Sequence, residues 1–293
     1  MVGKVTAVVL DHINWLRVGG AMPGLSHSTQ IRNADGKLTA TLHANWEIWG
    51  PNGGYLSAVA LRASELAAPD GHRPVSYSCQ YLSSPKSGDV DLEVEIAKAG
   101  RSSSCINVRM LQNNRMALQA QIWTTNRNDG PEKHDVGRPD VPTYGELPPL
   151  EHYLTAGQQP HTFWRNFEAR PVRYRTHGDP ASQDAAERIW FRFLDHATSG
   201  SPFDDYGRLL VLIDTLPWPS FHKTLPAPPQ FIAPSLDLSV WFHDAPGEGV
   251  WLLGDGHGGL AGSGLIHGGA QIWSADGRLL ASGGSQMLVI DPR

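Results

Sequence analysis

The chain has 293 residues, 40% of them hydrophobic and 18% charged, with a formal charge of −5 and a pI near 6.2. That is enough apolar material for two ordinary domains or one large one. The charge is spread without like-sign runs or a basic face, which excludes nucleic acid as a partner and argues against a polybasic membrane surface.

The N-terminal run Val5 to Leu10 is broken by Asp11 and is too short for a signal-peptide core. No stretch approaches the ~20 apolar residues of a spanning helix, so a soluble cytoplasmic protein is expected. Alternation over 26–33 and 38–44, around Asp35-Gly36, predicts an opening hairpin. A breaker-rich stretch, Trp46 to Gly54, leads into Tyr55, Val59, Ala60, Ala63 and Leu66 at helical spacing, stopped by Pro69-Asp70-Gly71. Strands follow at 74–82, 89–98, 103–112 and 115–124, the last two joined by Asn113-Asn114, residues that tolerate positive φ. Cys79 and Cys105 lie in these runs without disulfide or metal spacing and read as buried reduced thiols. Residues 126–160 are polar and proline-bearing, a linker.

The second half repeats the order. Strands are expected at 163–176 and 187–194, then a helical stripe of Tyr206, Leu209, Leu210 and Ile213 stopped by Pro217 and Pro219. Further strands are expected at 235–243, 249–254, 264–274 and 278–290, with Asp276-Gly277 as the last turn. Val75–Pro85 overlays Leu236–Pro246 at an offset of 161, and Asn113-Asn114-Arg115 overlays Asp276-Gly277-Arg278 at 163. One helix followed by four strands, twice, is an internal duplication. Residues 1–127 form the first domain, 128–160 the linker and 161–293 the second domain. Each half wraps an antiparallel sheet around a central helix, the α+β hot-dog layout, here as two tandem domains.

Trp46-x-Ile48-Trp49-Gly50-Pro51-Asn52-Gly53-Gly54-Tyr55 resembles the helix opening of the acyl-CoA thioesterase II-like family. Pro234 to His243 resembles that family's second-half strand, and Asp276 to Ser282 its last hairpin. The resemblance runs from about residue 25 to the C-terminus and is loosest across 126–190. It implies hydrolysis of an acyl-CoA or other acyl thioester, no cofactor (the CoA moiety enters with the substrate), and a homodimer of double hot-dog chains.

Thioester hydrolysis needs a polarised carbonyl and an activated water or a nucleophile. No Gly-x-Ser-x-Gly elbow occurs, since Ala261 stands two residues before Ser263; a water route is favoured. Gly53 and Gly54, without Cβ atoms at a helix start, suit an oxyanion contact or simply allow the turn, with Tyr55 beside them. Asp237, in an apolar strand, is the candidate base; strand alternation would alternatively put it on the solvent face with Ser239 and Trp241. The resemblance makes Asp237 catalytic and sets it facing the first half's helix opening. The family's hydroxyl position falls on Gly259 and its Gln position on Ser285. Gln286 is adjacent and would serve through a bulge at Gly283-Gly284.

Gly254-x-Gly256-x-x-Gly259 has dinucleotide-fingerprint spacing without a following helix and reads as a flexible loop, with His257 in it. Trp46, Trp49, Trp241 and Trp251 either line an acyl tunnel or pack the core. The 13 histidines form no metal-binding spacing. Two alternatives remain. One is an enoyl-thioester hydratase or dehydratase, suggested by Asp204-Asp205-Tyr206-Gly207 but lacking the following His. The other is a non-catalytic acyl-thioester binder, suggested by the missing Gln and Thr.

Overall fold

The computed structural model describes residues 22–130, 136–154, 161–175, 179–194, 201–226, 229–247 and 249–291; the Val5 to Leu10 run lies outside them. In the first half, β1 (Arg32–Ala34) and β2 (Lys37–Leu42) follow the short α1 (Leu25–Ser28). Then come α2 (Gly53–Glu65), β3 (Arg73–Tyr81), β4 (Gly88–Lys98), β5 (Ser103–Gln112) and β6 (Arg115–Thr125). In the second half, β7 (Phe167–Pro171) and β8 (Ala186–Phe193) precede α3 (Pro202–Thr215) and α4 (Pro217–His222). They are followed by β9 (Asp237–Phe242), β10 (Trp251–Gly262), β11 (Leu265–Ser274) and β12 (Leu279–Leu288). The hairpins close where the chain supplies residues for positive φ: Asp35-Gly36, Asn113-Asn114 and Ser263-Gly264.

The strands form one twelve-stranded antiparallel sheet in the order β1-β2-β4-β5-β6-β3-β9-β12-β11-β10-β8-β7. The halves join where β3 pairs with β9, Ser76 opposite Trp241, Ser78 opposite Ser239 and Gln80 opposite Asp237. Ser78 and Ser239 are equivalent in the duplicated pattern, so a local two-fold axis passes between them. The two repeats therefore complete each other's sheet, and neither keeps an open edge at the junction.

On the helix side of this sheet α2 and α3 pack against each other, burying Leu56, Val59, Leu209, Leu210 and Ile213 over Ile106, Val108, Ile122 and Ile272. Glycine sets how closely they approach. A Cβ on Gly54 would stand 2.5 Å from the Leu210 carbonyl oxygen and 2.6 Å from the Val211 Cα, and one on Gly207 3.2 Å from the Ala58 Cβ.

Four local expectations give way to packing. Residues 26–33 are not one strand: Leu25 and Ser28 are buried in a helical turn, and only Arg32–Ala34 pairs. The stretch from 163 begins as a 3-10 turn, Thr162–Asn166, which brings Phe163 against Trp46 and Phe167 before β7 starts. Pro217 ends α3 but also opens α4, since proline lacks only an N–H that a first helical turn leaves unused. The glycine run read as a flexible loop is strand β10: Cβ atoms on Gly254, Gly256 and Gly258 would meet Leu216, Ser220 and Phe221 within 2.5 to 2.7 Å, so bare backbone there lets the α3–α4 corner and α4 lie on the sheet. Residues of the proline-rich connection also pack: Tyr144 stacks on Trp251 at 4.6 Å, beside Trp190, on the sheet's outer face.

Candidate active site

Asn52 caps α2, its Oδ1 accepting the Tyr55 N–H at 3.0 Å. The Gly54 N–H donates at 2.9 Å to Oδ2 of Asp214, near the end of α3, and the Asn52 side-chain amide donates to the same oxygen at 3.1 Å. The Ser235 hydroxyl donates to Oδ1 at 2.9 Å. The Gly53 N–H has no acceptor among the described residues. It is the open donor of a helix start, where the partial positive charge is greatest.

A cavity of about 480 Å³ ends on this group. Its walls are Ile48, Trp49, Leu56, Leu82, Trp164, Trp218, Ile232, Leu236, Met287 and Ile290; its polar end holds Asn52, Gly53, Tyr81, Asp214 and Ser235. A point one Cβ out from Gly53 lies 2.9 Å from the Tyr81 hydroxyl oxygen and 3.0 Å from Asp214 Oδ1, so both oxygens lie beside the Gly53 Cα at the start of α2. Burial holds the Asp214 carboxyl above the usual carboxylate range, opposed by its hydrogen bonds from Gly54, Ser235 and Asn52. Burial, with the neighbouring Cys79, Asp214 and Tyr77, pushes the Tyr81 phenol well above its ordinary value, and its oxygen lies 2.8 Å from the Ser57 hydroxyl. Burial thus favours the protonated form of both groups, which share the polar lining of a largely apolar cavity.

The residues expected from the sequence separate between the two faces of the sheet. Leu238, Val240 and Phe242 enter the core, so Asp237 faces outward with Ser239 and Trp241, the last 56% exposed. Asp237 therefore does not line the cavity that Gly53 lines; Oδ1 accepts the Gln286 N–H at 2.8 Å, at the start of β9. It borders an outer hollow of about 620 Å³ with His257, His267 and Gln286. Gln286 shares the face of Asp237 without a bulge at Gly283-Gly284, because β12 stays in register with β11 from Ser282 to Leu288. Ser285 contributes to the hollow's floor, but its side chain turns to the helix side, as Gly268 opposite it does; its hydroxyl is buried without a partner among the described residues. Of the glycine pair, Gly53 is the free donor, whereas Gly54 is engaged by Asp214. Tyr55 points its hydroxyl away, donating to the Ser28 carbonyl at 2.8 Å, with its ring stacked on Trp46. Among the tryptophans singled out, Trp49 alone lines the inner cavity: Trp46 packs the core, Trp241 is exposed and Trp251 supports the connection.

Asp214 went unread in the sequence because the stripe Tyr206, Leu209, Leu210, Ile213 reports only the apolar face of α3. The available signal was an acid at the end of an apolar helix directly before Thr215 and two prolines. Among the described residues no group of three or more His, Cys, Asp or Glu is arranged to hold a metal ion, and no helix is long and apolar enough to cross a membrane.

Two sheet-wrapped helices in one chain, joined strand to strand about a local two-fold axis, define a double hot-dog protein. The chain belongs to the acyl-CoA thioesterase family: the family's N-terminal domain matches residues 42–125 and its C-terminal domain residues 145–289. Solved structures agree in fold. A hot-dog protein of unknown function from Alicyclobacillus acidocaldarius is 21% identical with a TM-score of 0.75, covering 92% of this chain and 98% of its own. The acyl-CoA thioesterase II TesB2 of Mycobacterium marinum is 17% identical with a TM-score of 0.74, over 92% and 98%. The tesB protein of Mycobacterium avium subspecies paratuberculosis is 19% identical with a TM-score of 0.73, over 91% and 98%. No curated protein matches the chain.

Proposed function

We propose that the protein hydrolyses an acyl thioester, acyl-CoA first among them, with the acyl chain in the inner cavity and the carbonyl oxygen at the Gly53 N–H. One observation carries the proposal: an apolar tunnel terminates on an unpaired helix-start amide beside a buried carboxylate. Trp49 and Trp218, edge to face at 5.2 Å, offer the acyl chain an apolar wall. The amide offers a preorganised dipole where negative charge develops, and a carboxylate-activated water supplies the nucleophile. Among the described residues no histidine lines this cavity, which disfavours enoyl hydration there. The family resemblance supports, within the same proposal, a cytoplasmic location, a role in lipid metabolism and pairing of two chains.

A second reading keeps Asp237 as the base and works from the outer hollow. The observation favouring it is that Gln286 and His267 converge there beside Asp237. The test is release of free thiol from a panel of acyl-CoAs by wild type and Gly53→Ala. The inner-cavity reading expects turnover by wild type and a loss of about 100-fold in kcat for the variant, because the added methyl keeps the N–H but displaces the Tyr81 hydroxyl and the Asp214 carboxylate, 2.9 and 3.0 Å from it. Equal rates in the two proteins place the reaction elsewhere, and no release from any thioester ends the hydrolase proposal.

A further inference from the structure

Resting on the pairing of two chains proposed above, we infer that the second copy of the chain packs on the outer face of the sheet, about a two-fold axis parallel to the strands. Outward residues cross that face in one row. From the junction the first repeat contributes Ser78, Gln121, Asn107 and Glu95, and the second Ser239, Gly284, Gly269 and His257. The local two-fold axis between Ser78 and Ser239 makes these positions equivalent pair by pair, yet they are filled oppositely. In the first repeat the Gln121 amide donates to Asn107 Oδ1 at 3.2 Å, a polar ridge ending on the carboxylate of Glu95. In the second the two glycines leave bare backbone in the outer hollow, which ends on the exposed imidazole of His257.

Sheets stack about 10 Å apart with the side chains of the two faces interdigitated, so bulk on one must meet a gap on the other. An axis along the strands reverses the row over itself. Gln121 and Asn107 of one copy then lie over Gly284 and Gly269 of the other, and Glu95 lies over His257. An axis along the row would instead set each residue over itself, ridge on ridge, carboxylate on carboxylate and hollow on hollow. The first arrangement fills the hollow and matches the charges; the second does neither. The next row obeys the same rule. Trp241 stands between Ser76 and Ser282, 56% exposed. The strand-parallel axis puts Ser76 of one copy over Trp241 of the other, and Trp123, the neighbour of Ser76 on β6, over Ser282. The eight strands from β4 to β10, about 4.8 Å apart and six residues long at about 3.4 Å each, span about 800 Å² in plan. That is the area each partner brings to a standard-size interface, about 800 Å². The proline-rich connection leaves the patch free, since Tyr144 stacks on Trp251 at the start of β10, short of His257. Pairing covers the outer hollow and leaves α2, α3 and the inner cavity on the other side of the sheet.

The test is the mass in solution, by analytical ultracentrifugation over a range of concentrations, of wild type, Ser239→Arg, Trp241→Ala, Glu95→Lys and Asp70→Arg, with thermal melts to monitor folding. The inference expects a dimer for wild type and for Asp70→Arg, whose exposed position follows α2 and lies off this face. Ser239→Arg, with a charge at the centre of the contact, should be monomeric. Trp241→Ala should raise the dimer Kd about 30-fold or more, as loss of a buried aromatic anchor does. Glu95→Lys should raise it about fivefold, and His257→Glu in the same chain should restore it, which an axis along the row would not allow. Should Ser239→Arg fail to fold, Trp241→Ala and the charge exchange decide. A dimer of unchanged Kd in Ser239→Arg and Trp241→Ala overturns this face while leaving the pairing intact. A wild type that is monomeric at every concentration overturns the pairing and the inference together. Thiol release by the same proteins judges the hydrolase reading separately.

Discussion

Gly53 and Gly54 are neighbours in sequence with different duties, and alanine at each separates them. At Gly54 the added methyl would face the Leu210 carbonyl at 2.5 Å and the Val211 Cα at 2.6 Å, backbone atoms that cannot rotate aside. Ordinary contact needs about 3.5 Å, so α2 and α3 must part by about 1 Å. Overpacking of this kind costs about 1–3 kcal/mol. The same movement stretches the Gly54 hydrogen bond to Asp214, a bond to a carboxylate worth about 1.5–3 kcal/mol. The gain from alanine's helix propensity, up to about 1 kcal/mol, offsets part of this. The expected loss for Gly54→Ala is about 2–4 kcal/mol, read from urea unfolding midpoints at constant m. At Gly53 the methyl meets side-chain rather than backbone atoms, Tyr81 at 2.9 Å and Asp214 Oδ1 at 3.0 Å, so Gly53→Ala should cost about 1–3 kcal/mol, less than Gly54→Ala, while lowering activity. A Gly54→Ala protein as stable as wild type would refute the tight helix crossing from which this reasoning starts.

Three further outcomes follow from the structure. Glu187 is buried beside Lys223 at 2.7 Å, and burial raises its carboxyl to about 7 despite that partner. Because folding raises this pKa from an unfolded value near 4.5, its contribution to stability is complete below that value and is lost as pH rises through about 7. The loss amounts to roughly 3 kcal/mol, and Glu187→Gln should flatten the pH dependence of unfolding relative to wild type; parallel profiles for the two proteins would contradict this. Trp218 forms a wall of the inner cavity against Trp49 and Phe231, so Trp218→Ala should raise KM for long acyl chains by about tenfold and leave short ones little changed. A uniform change across chain lengths in the thiol-release assay would count against acyl binding there. Tyr144→Ala removes the ring stacked on Trp251 and should cost about 1–3 kcal/mol in thermal or urea unfolding, by exposing Trp190 and Trp251 on the outer face; unchanged stability would mean that the connection is merely draped there.

Much of the architecture was legible because it follows from local rules. Turn residues tolerant of positive φ marked the hairpins, helical spacing marked α2 and α3, and the offset of 161 made Ser78 and Ser239 equivalent positions, which the fold sets opposite each other at the junction of the two repeats. The site was less legible, since it depends on which face of a strand a residue takes. The apolar neighbours of Asp237 made it look buried, yet their alternation is what turns it outward, whereas Ser285 and Gln286 divide between faces by one step along β12. Glycines 254, 256 and 258 mimicked a loop because nothing in local sequence announces a helix lying on a bare strand. Asp214 is separated from Gly54 by 160 residues, and only the antiparallel contact of α2 with α3 brings them within hydrogen-bonding distance.

The most direct measurement is a crystal structure with a non-hydrolysable ketone analogue of a medium-chain acyl-CoA, in which a methylene separates the sulfur from the carbonyl. The acyl chain should lie between Trp49 and Trp218, with the carbonyl oxygen within hydrogen-bonding reach of the Gly53 N–H and the adjacent carbon open to a water on Asp214. An acyl chain seated in the outer hollow against Asp237 and Gln286, with the inner cavity bare, would contradict the account.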